Sequence, residues 1–202
     1  FIADILKDWM NKGGLYEEAA VLYRSNAQSR AIEEALLRAS IPYRIYGGVR
    51  FYERLEIKNA IAYLKVIFNN NDNPSFERSI SNPTRGVGEK TLSKIRNTSK
   101  QFNISYIKAS AKLIDEGLIS GRGGSGLRDY LEFISGCKGF IEENLLSELM
   151  ELIIKDTGLY AYHGKEAGEK GKTRTENLEE LITATKNFEQ SIKDEKTNVE
   201  IA

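Results

Sequence analysis

Hydrophobic residues recur at helical spacing over most of this chain. Near the N-terminus they lie at i, i+3, i+4 and i+7 and predict an amphipathic helix: Ile2, Ile5, Leu6 and Trp9. The clearest stripe comprises Ile57, Ala60, Ile61, Leu64, Ile67 and Phe68. Further helical stripes begin near Leu92, Leu127, Leu145 and Leu178. The chain is therefore predicted to be mostly α-helical.

Two short segments interrupt this pattern within the first ~70 residues. Ala19 to Tyr23 is an apolar run followed at once by polar residues, which is typical of a buried strand. A helix whose start has the capping-box residues Ser25 and Gln28 comes next, and Tyr43 to Tyr46 predicts a second strand. Strand, helix, strand, helix is the order of a parallel sheet with crossovers. The predicted fold is thus mostly α with a small α/β part.

Polar and glycine-rich segments predict the joins. Glycines at 121, 123, 124 and 126 are interpreted as a flexible link between two helical groups. The stretch from Gly164 to Lys172 is predicted to be an exposed loop, with Thr173 and Glu176 capping the helix after it. Phe1 already lies inside a helical pattern, which is typical of a piece of a longer protein or of a processed terminus.

Composition narrows the class of protein without identifying it. Of the 202 residues 41% are apolar, so a packed core is expected. Basic and acidic residues are equal at 29 each, which neither favours nor excludes nucleic-acid binding. With one cysteine, Cys137, and one histidine, His163, no disulfide, metal site or histidine-based triad is expected. No apolar run could cross a membrane and no secretory signal is present, which predicts a cytoplasmic location.

A tyrosine and an arginine follow the first predicted strand. In open α/β sheets, ligands bind beyond the carboxyl ends of the strands, where Tyr23 and Arg24 would lie. Tyrosine can stack on a flat base, and arginine can reach a phosphate through a charge-assisted hydrogen bond. The same pair can equally end a strand without contacting a ligand, and spacing alone does not decide between these alternatives.

Four blocks of sequence resemble superfamily 1 DNA helicases of the UvrD/PcrA/Rep type. AVLYRSNAQSRAIEEAL is similar to helicase motif four, and PYRIYGGVRFYERLEIKNAIAYLK resembles the segment that follows it in that family. NPTRGVGEKTL and GEKGKTRTENLEELITATKNF match two more blocks in the same order. Four ordered matches, from about residue 19 to residue 188, make the resemblance specific.

The resemblance implies a domain organisation and a nucleotide site. Residues 1–117 would be the front of an incomplete RecA-like second motor domain, and residues 118–202 an incomplete inserted helical subdomain. Tyr23 would stack on adenine, and Arg24 would reach the γ-phosphate of ATP as an arginine finger, a catalytic role. ATP and Mg²⁺ would be held by the first motor domain of the parent chain, because this sequence contains no P-loop and no metal-binding acidic pair. The chain alone is therefore expected to bind neither and to be inactive.

Other residues of these blocks have structural alternatives. Gln28 is interpreted as a helix cap and Arg30 as an ion-pair partner. Arg50 or Arg54 could touch a DNA phosphate near a glycine turn, or could join Glu53 and Glu56 in an ion-pair network that fixes the domain. The neighbouring aromatics, Phe51 and Tyr52, are predicted to lie in the core.

Two glycine-containing segments at helix starts are candidate DNA contacts. A Gly-x-Gly turn offers bare N–H groups and the positive end of a helix dipole, although it can also be a simple tight turn. The resemblance favours backbone contacts from Thr84, Arg85, Gly86, Gly88 and Lys90. The last block implies further contacts from Lys172, Thr173 and Arg174, unless this is only a solvated charged loop.

These expectations combine into one function. The resemblance implies part of an ATP-dependent 3′-to-5′ DNA helicase that acts on single-stranded DNA and the duplex junction, in DNA repair or replication, near the bacterial nucleoid. Its partners would be the first motor domain of the same chain and, potentially, repair proteins, with no membrane. The alternative is a helical DNA-binding or protein-docking module without a motor role, and a nuclease-linked helicase relative is a third possibility.

Overall fold

A computed structural model describes residues 1–46 and 48–200, with side chains described as far as residue 193. Within those ranges the chain forms ten α-helices: α1 Ile2–Asn11, α2 Ser29–Arg38, α3 Leu55–Phe68, α4 Asn73–Ser81, α5 Glu89–Phe102, α6 Tyr106–Asp115, α7 Gly121–Glu143, α8 Leu146–Asp156, α9 Leu159–Gly164 and α10 Glu169–Glu200. Short 3-10 turns lie at Tyr16–Glu18, Asn26–Gln28 and Phe51–Glu53. The prediction of a mostly helical chain is confirmed.

The two predicted strands are not formed in the described part of the chain. Ala19 to Tyr23 and Tyr43 to Tyr46 lie outside the helices and join no β-ladder. A strand is stable only when another strand satisfies its backbone N–H and C=O groups, and no described segment pairs with either one. Nor is the first segment buried, because Leu22 is 94% exposed.

The core gathers around α3. Of its predicted apolar stripe, Ile57, Ala60 and Ile67 are buried, whereas Phe68 is 59% exposed. Tyr63 and Val66, which the stripe did not include, are also buried, and the helix packs against α4, α7 and α8. At the centre, the hydroxyl groups of Tyr130 and Ser79 are 2.6 Å apart, so the ring is buried with its polar atom satisfied. The core contains residues from both sides of position 117, so the predicted domain boundary does not coincide with a break in packing.

The glycines predicted to form a flexible link instead begin α7. They are needed where backbones come close: a Cβ on Gly126 would lie 2.1 Å from the carbonyl oxygen of Arg85, and one on Gly123 would lie 2.9 Å from that of Gly86. Tertiary packing has therefore overridden the low helix propensity of glycine. The link prediction was wrong because glycine favours both loops and close approach.

The predicted loop from Gly164 to Lys172 is shorter than expected. Helix α9 ends at Gly164 and α10 begins at Glu169, so Thr173 and Glu176 lie within α10 and do not cap its start. Gly171 is buried, and a Cβ there would lie 2.3 Å from the carbonyl oxygen of Glu166. This close contact folds the polar segment back on α9 and lets the helix start early.

In the described residues, no helix is both long and apolar enough to span a bilayer.

Candidate nucleotide and nucleic-acid interface

Tyr23 and Arg24 lie at the end of an extended segment immediately before a helix. Arg24 is exposed and Tyr23 is partly exposed, so neither is enclosed in the core. The Gln28 Oε1 atom accepts hydrogen bonds from the backbone N–H groups of Arg24 at 3.0 Å and Ser25 at 3.2 Å. The prediction that Gln28 caps the helix is confirmed. The cap fixes the backbone of Arg24 while its side chain stays accessible.

Arg30 anchors α2 to the far end of the chain. Its guanidinium is buried, with Nε 2.6 Å from Glu180 on α10 and Nη1 2.7 Å from Glu34. Burial alone would lower the pKa of Arg30, but hydrogen bonds to Glu180 and Glu34 outweigh it and raise this pKa. The structural role predicted for Arg30 is therefore confirmed, and the ion pairs hold the helix that follows Arg24.

Arg54 is a buried hydrogen-bonding centre rather than an exposed phosphate contact. It donates to Ser29 Oγ at 2.7 Å, to Asn177 Oδ1 at 2.8 Å and to the carbonyl oxygen of Asn26 at 2.9 Å. Burial lowers its pKa. Its guanidinium also lies 5.2 Å from the ring centroid of Phe51. The structural alternative is thus confirmed for Arg54, but through neutral partners instead of the predicted ion pairs.

The three residues from Arg50 to Tyr52 lie partly in the core and partly on the surface. Phe51 is fully buried as predicted, whereas Tyr52 is 47% exposed and donates to Glu34 Oε1 at 2.9 Å, so its predicted core position was wrong. Burial and then the bond to Glu34 raise the pKa of Tyr52 to about 12. Arg50 is exposed, with its guanidinium 5.4 Å from the ring centroid of Tyr43.

Sequence reasoning missed the acidic residue that holds this segment. Glu33 is buried on α2 and accepts from the hydroxyl of Ser29 at 2.7 Å and from the backbone N–H of Phe51 at 3.2 Å. A buried carboxylate with several donors keeps its charge satisfied. The i, i+4 spacing of Ser29 and Glu33 was the available signal, since such residues face each other on a helix.

Most of the candidate DNA contacts in the loop before α5 face outward. Thr84, Gly86, Gly88 and Lys90 are exposed, and no side chain caps the start of α5. Gly86 has φ +75°, a left-handed conformation that favours glycine. A Cβ on Gly88 would meet no atom within 4 Å, so the space before the helix is open.

Arg85, in contrast, is held by the protein interior. Its guanidinium donates to the carbonyl oxygens of Pro83 at 2.9 Å and Thr157 at 3.0 Å. It lies 5.5 Å from the ring centroid of Tyr63 and 5.7 Å from that of Tyr130. Burial raises the pKa of Tyr63 to about 12 despite the nearby Arg85 cation, so this tyrosine remains neutral. Arg85 therefore fixes the loop from within.

The last candidate segment lies in the first turns of α10. Lys172 is exposed and Thr173 is partly exposed. Arg174 pairs with Glu166, lies 3.6 Å from Glu56, and has Nη1 3.3 Å from Nδ1 of the buried His163. Burial, followed by the nearby charge of Arg174, lowers the pKa of His163. Of the three predicted residues, Lys172 is the freest to meet a ligand.

An open cleft of about 520 Å³ lies between Ile45, Gly48 and Val49 on one side and the start of α10 on the other. Arg54, Glu56, Thr173, Arg174 and Asn177 are among the residues that line it. The cleft brings the segment around Arg54 together with the segment around Thr173 and Arg174. Tyr23, Arg24 and the loop before α5 do not line it.

Metal and thiol chemistry find no support in the described residues. No group of three His, Cys, Asp or Glu side chains is placed to hold a metal ion there. Cys137 is buried in the core, and burial raises the pKa of its thiol to about 11. The exposed candidate cations of the site include Arg24, which follows Tyr23, and Lys90 and Lys172, which lie in the first turns of α5 and α10.

A family model for the UvrD-like helicase C-terminal domain matches residues 1–116. The chain therefore belongs to the UvrD-like helicase family, and the resemblance inferred from its four sequence blocks is confirmed.

Individual relatives agree with this assignment along nearly the whole chain. DNA helicase II of Escherichia coli is 47% identical over 195 residues, which are 96% of this chain and 27% of the relative. DNA helicase II of Haemophilus influenzae is 47% identical over 188 residues, 93% of this chain and 26% of the relative. The ATP-dependent DNA helicase PcrA of Leuconostoc citreum is 36% identical over 180 residues, 89% of this chain and 24% of the relative. The chain thus spans about a quarter of the length of these relatives.

Proposed function

We propose that this chain forms part of an ATP-dependent 3′-to-5′ DNA helicase, supplying nucleotide-cleft residues and DNA-backbone contacts. Relatives named DNA helicase II and ATP-dependent DNA helicase PcrA, which match nearly all of this chain, support the proposal. In it, the first motor domain of the parent protein holds ATP and Mg²⁺, and the chain alone does not turn over ATP. The parent would work in the cytoplasm on single-stranded DNA and duplex junctions during repair or replication, with repair proteins as potential partners.

The accessibility of Arg24 carries this proposal. An arginine finger must cross from one domain to phosphates held by another, so it needs a fixed backbone and a free guanidinium. Arg24 has both, since Gln28 binds its backbone N–H and its side chain is exposed. Tyr23, the residue before it, is partly exposed and would stack on the adenine ring. Both roles follow the helicase resemblance.

The α/β part of the predicted fold belongs to the same proposal. Ala19 to Tyr23 and Tyr43 to Tyr46 would become strands when neighbouring strands of a RecA-like sheet lie beside them. Exposed apolar side chains support this, because Leu22 is 94% exposed and Tyr46 is 87% exposed. Packing such residues against a sheet would remove a costly apolar surface from water. Residues 1–117 and 118–202 would then serve as motor domain and inserted subdomain.

The DNA contacts divide into direct and supporting residues. Thr84, Gly86, Gly88 and Lys90 would meet the phosphate backbone at the open start of α5, and Lys172 and Thr173 would do so from α10. Arg85 and Arg174 would support these two surfaces from within, because their guanidinium groups already bind internal acceptors.

ATP hydrolysis by the full-length parent protein that contains this chain tests the proposal. Arg24→Ala should lower DNA-stimulated kcat by about 10³-fold or more, as expected for loss of an arginine finger. Arg38→Ala, which removes another exposed cation of the same neighbourhood at the end of α2, is the matched control and should leave kcat unchanged.

Both variants should unfold at the temperature of the unchanged protein, because neither side chain is buried. Equal kcat values for Arg24→Ala and Arg38→Ala would show that Arg24 does not act as an arginine finger. Equal loss of kcat together with a lower unfolding temperature would mean that the substitutions act through folding.

A further inference from the structure

The start of α7 packs closely against the backbone of the loop that precedes α5. A Cβ on Gly123 would lie 2.9 Å from the carbonyl oxygen of Gly86, and one on Gly126 would lie 2.1 Å from that of Arg85. These contacts are possible only because both α7 residues are glycines. The loop and the helix start therefore share one surface, although about 35 residues separate them in sequence.

Arg122 lies on this shared surface. Its side chain crosses Gly86 so closely that a Cβ on Gly86 would be 2.8 Å from Cγ and 3.3 Å from Cδ of Arg122. Arg122 is nevertheless exposed, so its stem packs on the loop while the residue keeps access to solvent. The conformation of Gly86, with φ +75° and no side chain, makes room for this stem.

The charges around the loop favour an anionic partner. Arg85, the cation within the loop, is withdrawn to the carbonyl oxygens of Pro83 and Thr157. Glu89, the only carboxylate between Thr84 and Lys90, is bound by Arg96 at 2.5 Å. Lys90 is exposed on the first turn of α5. Arg122 and Lys90 thus present positive charge beside an open helix start.

We infer that Arg122 is a further phosphate-binding residue for the DNA backbone and provides the outward charge that Arg85 does not. The inference rests on the proposed function, since it adds a residue to the DNA surface formed by the loop. Guanidinium groups bind phosphate oxygens in a bidentate manner, and such contacts position a duplex without reading its sequence.

Salt-dependent binding of the full chain to a fluorescein-labelled duplex with a single-stranded tail, followed by fluorescence anisotropy, tests this inference. Each phosphate contact contributes about 0.9 to the slope of log K against log salt concentration. Arg122→Gln should reduce the slope by about 0.9, so its defect relative to the unchanged chain should shrink roughly 3.5-fold between 50 and 200 mM salt. Arg122→Lys keeps the charge and should retain the slope.

Arg128→Gln is the matched control, because Arg128 is an exposed arginine of the same helix and its change removes the same charge. Lys90→Gln reports on the loop itself. If Lys90→Gln reduces the slope but Arg122→Gln behaves like Arg128→Gln, the role of Arg122 is refuted and the DNA surface stands. If the chain binds this DNA without any salt dependence, or no variant alters the slope, both the inference and the proposed DNA surface are overturned.

Discussion

Replacing Gly126 by alanine should destabilise the protein even though alanine is the better helix former. Gly126 lies within α7, and in an exposed helix interior this change normally stabilises by about 0.5–1 kcal/mol. Here the new methyl group would lie 2.1 Å from the carbonyl oxygen of Arg85 and 2.9 Å from its Cβ. Ordinary contact begins near 3.4 Å, so helix and loop would have to separate by about 1.3 Å.

That separation would displace Arg85, which makes several internal contacts. Overpacking a dense site costs about 1–3 kcal/mol, and a hydrogen bond from a charged group contributes about 1.5–3 kcal/mol. Moving Arg85 endangers its 3.0 Å bond to the carbonyl oxygen of Thr157 and its contact with the ring of Tyr63. After the propensity gain is subtracted, Gly126→Ala should lower the free energy of unfolding by roughly 1.5–5.5 kcal/mol.

The same helix provides the control. Gly136 also lies within α7, but a Cβ there would meet nothing within 4 Å. Gly136→Ala should therefore raise the free energy of unfolding by about 0.5–1 kcal/mol. Urea unfolding followed by circular dichroism measures both, provided that the m-values agree. If Gly126→Ala stabilises the chain as much as Gly136→Ala does, the close contact between α7 and the loop does not exist.

Two further outcomes follow from the buried and exposed charges. Folding lowers the pKa of His163 from 6.5, so below pH 6.5 the unfolded chain binds more protons than the folded chain. The contribution of His163 to the free energy of unfolding should therefore be complete above pH 6.5. Below that pH the free energy of unfolding should fall by up to about 1.4 kcal/mol per pH unit. Urea unfolding between pH 8 and 5 should show this loss reduced in His163→Gln, and equal pH profiles would contradict it. Lys172→Gln should reduce the salt slope of DNA binding by about 0.9 at unchanged unfolding temperature, whereas Arg174→Gln should mainly lower that temperature by breaking its pair with Glu166. The opposite assignment of the two effects would refute the division into direct and supporting residues.

Local sequence patterns succeeded where neighbouring residues decide the structure. The stripe from Ile57 to Phe68 predicted α3, because one apolar face with helical spacing can be buried only as a helix. Gln28 was identified as a cap for a similar reason, since the two backbone N–H groups that donate to its Oε1 lie within four residues of it. These features need no knowledge of the rest of the chain.

The same patterns failed where distant residues decide. The apolar run from Ala19 to Tyr23 has the composition of a strand, but no described segment supplies its hydrogen-bonding partner. Gly123 and Gly126 have the composition of a loop, yet they serve a close helix contact with residues about 40 positions earlier. Neither outcome is visible within a short window of sequence, because each depends on which backbone lies alongside.

Distant residues also decide which arginines are bound inside the fold and which remain exposed. This difference determines which arginines can act on a ligand. Arg30, Arg54 and Arg85 each find acceptors from distant elements, and a guanidinium so held would lose those bonds on turning to a phosphate. Arg24 and Arg122 are exposed, and each is fixed only through its backbone or stem. A cation that is anchored in this way gives up no internal hydrogen bond on binding, because its guanidinium has no acceptor within the described part of the fold to lose. On physical grounds, therefore, function should concentrate at the arginines whose guanidinium groups the fold leaves unused.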